Sequence, residues 1–104
     1  MIITTSNTVE GKKISKTVGL VRGSTIRARH LGRDIMAGLR GMVGGEIGEY
    51  TKMMAEAREQ SLQRMIEEAE SKGANAIVSM RFATSMVMQN AAEVLVYGTG
   101  VILE

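Results

Sequence analysis

One histidine and one aspartate in 104 residues set narrow limits on the chemistry this chain can perform. His30 and Asp34 stand four residues apart, one helical turn. With Glu46 or Glu49 they could offer two or three nitrogen and oxygen ligands to a divalent metal ion. There is no Cys, which removes thiolate metal sites, disulfides and a Cys nucleophile together. His30 is therefore the metal candidate, weighed against a plain helix-leading histidine. A Ser-His-Asp triad is not readable, because the single His and single Asp share one helix in the wrong order.

A second candidate is the glycine-rich stretch Gly38, Gly41, Gly44, Gly45 and Gly48. Backbone N–H groups at the start of the following helix could hold a small anion, with Arg33 and Arg40 adding charge. Arg33, Asp34, Arg40, Gly44, Gly45 and Glu46 would line such a site. The spacing matches neither the dinucleotide fingerprint nor the P-loop, and Glu46 would repel a phosphate. Close packing and a left-handed turn are the competing reading.

Three further residue patterns each have a plain alternative. Met86 and Met88 could pair thioethers on copper(I), but Met also fills core gaps and oligomer contacts. The glutamates from Glu56 to Glu70 could pair as catalytic carboxylates, but their positions trace a solvated helix face. Arg58 falls near Met54, Leu62 and Met65 in the apolar sector of that helix. It predicts an ion pair with Asp34, Glu46 or Glu93, buried or between subunits, unless its stem snorkels past the helix edge.

These residues are carried by a short series of elements. Ile2 to Thr5 is β-branched and ends at Ser6-Asn7, which predicts a strand and turn. A second extended stretch places Ile14, Val18, Leu20 and Ile26 on one parity, interrupted by Val21, with a possible break at Gly23-Ser24. Leu31, Ile35, Leu39 and Met42 predict a short helix over 31–42, weakened by its glycines. From Glu46 to Lys72 the pattern predicts one long amphipathic helix, with Ile47, Met54, Ser61, Leu62, Met65 and Ala69 on one side and Tyr50 and Ala57 beside them. Gly73 is its expected C-terminal stop.

Ala76 to Met88 predicts a strand with Val78, Met80 and Phe82 on one face and Ser79, Arg81 and Ser85 on the other. Gln89-Asn90 is the expected turn, and Glu93 to Glu104 the last strand. That strand is apolar on both sides: Val94, Val96 and Ile102 against Leu95, Tyr97, Val101 and Leu103. Such a strand is covered on both faces. One helix layer can cover one face, so a second subunit is expected over Leu95, Tyr97, Val101 and Leu103, with Arg58 at the same interface.

Composition agrees with one globular domain spanning 1–104. No apolar run approaches a membrane span, and the N-terminus lacks the features of a leader, so a cytoplasmic location is expected. Residues 1–45 carry eight basic against two acidic side chains, whereas residues 46–104 carry five against nine. This asymmetry suits either an anionic partner or subunits that present opposite charges to one another. Aromatic residues are limited to Tyr50, Phe82 and Tyr97, too few to serve as stacking platforms for single-stranded nucleic acid.

Several segments together resemble the YbjQ-like family. They are Arg33-Asp34-Ile35, Gly38-Leu39-Arg40-Gly41-Met42-Val43-Gly44-Gly45-Glu46, Tyr50, Ala57-Arg58, Gly73-Ala74-Asn75-Ala76-Ile77-Val78 and Tyr97-Gly98-Thr99-Gly100-Val101. The resemblance implies a dodecin-subunit-like β-α-β-β fold with small additional strands, assembled as a homopentamer. The family carries a provisional heavy-metal-binding label without an established activity. The expectation is thus an α+β domain: a small antiparallel sheet with one long helix, in an oligomeric ring. The favoured function is a non-enzymatic homo-oligomer that binds a small ligand or metal ion at subunit junctions. The alternative is a small-ligand enzyme or anion sensor at the Gly38–Glu46 loop.

Overall fold

The computed structural model describes residues 1–28, 48–88 and 91–104. In chain order its elements are β1 (Ile2–Ile3), β2 (Ile14–Ala28), α1 (Gly48–Ser71), β3 (Ala76–Met88) and β4 (Ala91–Leu103). The four strands form one sheet in the order β1-β3-β4-β2. β4 pairs antiparallel with both β2 and β3, while β1 runs parallel to β3. The sheet is therefore mixed, where an antiparallel one was expected. The short helix expected over 31–42 and the Gln89-Asn90 turn lie outside the described residues.

Helix α1 forms where its periodicity predicts, rich in Ala, Glu, Gln, Met and Arg, which lose little side-chain freedom in a helix. Met53, Ala57, Ser61, Met65 and Ala69 are buried at intervals of four, and Leu62 and Ile66 pack beside them. The helix ends in a Schellman motif. The Ala74 N–H donates to the Ala69 carbonyl and the Gly73 N–H to the Glu70 carbonyl, both at 3.0 Å. Gly73 takes a φ of 85° there, which a side chain would oppose.

α1 lies over β2 and β4 and makes no comparable contact with β3 among the described residues. The principal core sits beneath it: Val21, Met65, Ala69, Ala74, Ile77 and Val96. At Gly23 the helix approaches the strand so closely that a β-carbon would collide with the Ser61 carbonyl and the Met65 amide nitrogen. Gly23 is thus a contact point within a continuous strand rather than a break in it.

Two expected strand parities are corrected. In β2 the residues facing α1 are Val21, Gly23 and Thr25, all buried, while Leu20 and Ile26 are exposed. Register shifts between Ile14 and Lys16 and between Thr17 and Gly19 change the alternation, so Val18 turns to the core under α1 while Ile14 and Leu20 lie on the opposite face. In β3 a shift between Val78 and Arg81, with Ser79 at a φ of 56°, separates Val78 from Met80. Val78 packs on the face away from the helix, and Met80 joins the core under it.

The face opposite α1 is covered in part by the chain itself. Ala76, Val78, Val101 and Leu103 form a second cluster there, with Val9 and Ile14 packed against it. The intervening N-terminal segment is anchored to β3. The Thr4 N–H donates to the Ile77 carbonyl at 2.9 Å, the Ser79 N–H to Ser6 at 2.8 Å, and the Met80 N–H to Thr4 at 3.0 Å. Asn75 fixes the end of β4 by acting as a strand neighbour: its Nδ2 donates to the Leu103 carbonyl at 3.1 Å, and its Oδ1 accepts from the Leu103 N–H at 2.7 Å.

Candidate functional site

The candidate metal and anion residues His30, Arg33, Asp34, Arg40, Gly44, Gly45 and Glu46 all lie outside the described residues. Among the described residues, no three His, Cys, Asp or Glu side chains come together as a metal site. Arg58 is exposed on α1, and no ion pair to Glu93 forms. Its other two expected partners, Asp34 and Glu46, are outside the described residues.

The four β4 residues expected at an interface divide in two. Val101 is 1% exposed and Leu103 9%, and both are covered by Val9 and Ile14 of their own chain. The expectation that these two require another subunit is corrected. It failed because the Thr4–Lys13 segment has no regular apolar period, yet folds back across the sheet. Leu95 is half-buried and Tyr97 is 38% exposed, so the distal part of that face keeps its open character.

The open area is wider than β4. The register sets Tyr97 between Arg22 of β2 and Arg81 of β3, and Leu95 between Ser24 and Ala83. Ile26 and Leu20 extend the same side of β2, with 61% and 57% of their surface exposed. Arg81 tethers the N-terminal segment, its Nη1 donating to the Thr5 carbonyl at 2.9 Å. On the helix side, Phe82 and Met86 of β3 are exposed because α1 stops short of that strand, and Met88, beyond a register shift, is exposed as well. Apolar side chains are therefore exposed on both faces of the sheet, Leu20 and Ile26 of β2 on one face and Phe82 and Met86 of β3 on the other.

The two long edges of the sheet are treated differently. On β2, Arg64 Nη1 donates to the Ser24 carbonyl at 2.6 Å and Lys72 Nζ to the Leu20 carbonyl at 3.2 Å. Between them the Arg22 N–H donates to Glu68 Oε1 at 3.2 Å. The ladder fits because four helical residues rise about 6.0 Å and two strand residues about 6.6 Å, so residues 64, 68 and 72 keep step with 24, 22 and 20. Lys72 and Glu68 also pair with each other at 3.4 Å. Basic, acidic and basic side chains at intervals of four were the available signal, but only the fold shows which edge they meet.

Ser61 is the one buried polar side chain of α1 among the described residues. Its hydroxyl lies 2.8 Å from the Ala57 carbonyl, 2.9 Å from the Val94 carbonyl and 2.9 Å from the Thr25 hydroxyl. With one proton it donates to one carbonyl at a time, and it can accept from Thr25. This cluster joins helix, β2 and β4, and its groups are satisfied internally, which marks it as a structural lock rather than a nucleophile.

A small α+β domain, one long helix over a four-stranded mixed sheet, is the class that the described residues define. The chain belongs to the YbjQ family, whose model, described as "Putative heavy-metal-binding", matches residues 1–104. It is 61% identical over 101 residues to a UPF0145 protein of Methanosarcina acetivorans, covering 97% of this chain and 95% of that one. It is also 61% identical over 104 residues to UPF0145 protein DET1617 of Dehalococcoides mccartyi, covering both chains in full. In fold it is similar to the crystal structure of a DUF74-family protein of unknown function from Pediococcus pentosaceus. That match has a TM-score of 0.67 at 18% identity and covers 100% of this chain and 98% of the other. No helix among the described residues is long and apolar enough to cross a membrane.

Proposed function

We propose that this protein acts as a homo-oligomeric module that binds a small ligand or metal ion at its subunit junctions, rather than as an enzyme. The observation that carries this reading is the group of exposed apolar side chains on the distal half of β3. Phe82, Met86, Val87 and Met88 are all exposed within one strand. Isolated exposed apolar residues are ordinary, but a group of this kind is characteristic of an interaction surface. The charge distribution supports self-association: α1 carries more Glu than basic residues, while β2 carries Lys16, Arg22 and Arg27 without an acid. Copies can therefore meet with opposite signs. Five subunits is the stoichiometry that the family resemblance implies.

A metal role follows from the family description, with His30 as the proposed ligand and nitrogen and oxygen donors completing the set. Native mass spectrometry of untagged protein, together with sedimentation velocity at micromolar concentration, tests both parts. The expected result is one defined oligomer carrying a retained ion or small molecule. A monomer at micromolar concentration would overturn the proposal.

A further inference from the structure

We infer that Arg22, Tyr97 and Arg81, side by side on the open face of the sheet, bind a small organic anion that carries a flat ring. The site lies within one chain and does not depend on the number of subunits. Register pairs Tyr97 of β4 with Arg22 of β2 on one side and with Arg81 of β3 on the other. Partners directly opposite one another on neighbouring strands project to the same face. All three are exposed. Their face is the one turned away from α1, since the chain neighbours Val21 and Val96 lie in the core beneath the helix.

Arg81 reaches this row through an irregularity in β3. Val78 lies on the face away from α1, and strict alternation from it would turn Arg81 to the helix side. Val78 pairs with Thr99 and Arg81 with Tyr97, so Ser79 and Met80 together stand opposite Gly98. That extra residue reverses the parity and brings Arg81 onto the open face. Ser79 holds a φ of 56° to make the bulge, a conformation that is costly for a residue other than glycine. Gly98 is required opposite it, because a β-carbon there would lie 2.7 Å from Ile77 Cγ2. Bulges of this kind re-aim side chains beside binding sites.

The guanidinium of Arg81 is also held in place. Its Nη1 donates to the Thr5 carbonyl at 2.9 Å and to the Met80 carbonyl at 2.8 Å, which leaves Nε and Nη2 to offer. Neither Arg81 nor Arg22 has a carboxylate partner among the described residues. Glu68 accepts the Arg22 N–H, but its charge is paired with Lys72. Glu93, the acid on this face of β4, lies four residues from Tyr97, about 13 Å along the strand. The two arginine α-carbons are two strand spacings apart, about 10 Å, with Tyr97 between them. Side chains of that length can converge from both flanks on one anionic group. Half-buried Leu95 continues the apolar floor. Two such cations beside an aromatic ring fit a ligand whose own ring stacks on Tyr97 and whose phosphate or carboxylate takes the arginine forks.

The test titrates naphthyl phosphate into the full-length protein by calorimetry and follows backbone amides by NMR. Inorganic phosphate and naphthol probe charge alone and ring alone. Saturable binding below about 1 mM is expected, with shifts centred on Arg22, Arg81 and Tyr97. Phosphate and naphthol should each bind at least about tenfold more weakly. Arg22→Gln, Arg81→Gln and Tyr97→Leu should each weaken naphthyl phosphate about tenfold, the loss expected of one charge-assisted contact or one stacked ring. Arg22→Gln breaks no side-chain hydrogen bond among the described residues, so it decides the matter if either other variant fails to fold. No saturation up to about 10 mM, equal affinity for inorganic phosphate, or unchanged affinity in Arg22→Gln would overturn the inference. Variants that lower the melting temperature while wild type binds none of the probes would reduce the row to cross-strand packing, which also overturns it. A monomer that binds naphthyl phosphate would uphold the inference while overturning the oligomeric reading.

Discussion

Gly23→Ala should be the most informative single substitution for the fold. Gly23 sits where α1 crosses β2, and an added β-carbon would fall against the Ser61 carbonyl oxygen, the Met65 amide nitrogen and the Arg64 β-carbon. Two of those three atoms are helix backbone and cannot rotate aside. The helix must rise, and a gap of about 0.5–1 Å already forfeits a quarter to a half of each dispersion contact beneath it. Overpacking of this kind costs about 1–3 kcal/mol. Loss of glycine's freedom in the unfolded chain returns about 0.4–1 kcal/mol. The net expectation is a destabilisation of about 1.3 kcal/mol, which lowers the melting temperature by roughly 5–10 °C for a domain near 100 residues. Urea and thermal unfolding followed at 222 nm would measure it, at matched protein concentration because association also stabilises. Gly100→Ala is the control. Its β-carbon would meet side-chain atoms of Ala74 and Val21 at 3.2 Å, a contact tight by only a few tenths of an ångström. A loss below about 0.5 kcal/mol for Gly23→Ala, the scatter expected of a surface change, would refute the close-approach argument. So would equal losses at the two positions.

Other outcomes follow from the same contacts. Ser61→Ala leaves the buried Thr25 hydroxyl without its side-chain partner and should cost about 1–3 kcal/mol. Adding Thr25→Val should recover part of that loss in a double-mutant cycle, and strict additivity would count against the cluster. Asn75→Ala removes two hydrogen bonds to Leu103 and should cost about 1–2 kcal/mol, with faster amide exchange at Leu103 as the local signature. Replacing Glu68 and Lys72 together by Ala should uncap the β2 edge and raise light scattering on storage; unchanged scattering would show that the ladder does not protect it. Zinc, nickel or copper should raise the melting temperature, and His30→Ala should abolish the shift.

Much of the local structure was legible in the residues themselves. The 3.6-residue period from Glu46 to Lys72 specifies α1, and Gly73 specifies its end, because both depend on interactions within one or two turns. The two-sided apolar character of β4 marked cover on both faces, which holds at Val101 and Leu103, while Leu95 and Tyr97 stay partly open. What covers it was not legible. Val101 and Leu103 are sheltered by Val9 and Ile14, far away in sequence, the first on a segment without regular structure and the second at the start of β2, so no local periodicity could report the contact.

The strand faces failed for a related reason. Alternation assigns inside and outside only while the register is unbroken, and the shifts near Gly19 and Ser79 change it with little trace in residue type. Leu20 and Ile26 thus pass from expected core to exposed surface. The difference between the two sheet edges is likewise tertiary. Residues 64, 68 and 72 could be seen to share a helix face, but their meeting with β2 depends on how the helix is laid across the sheet. Local periodicity is written in neighbouring residues, whereas cover and edge pairing are decided by packing between distant ones.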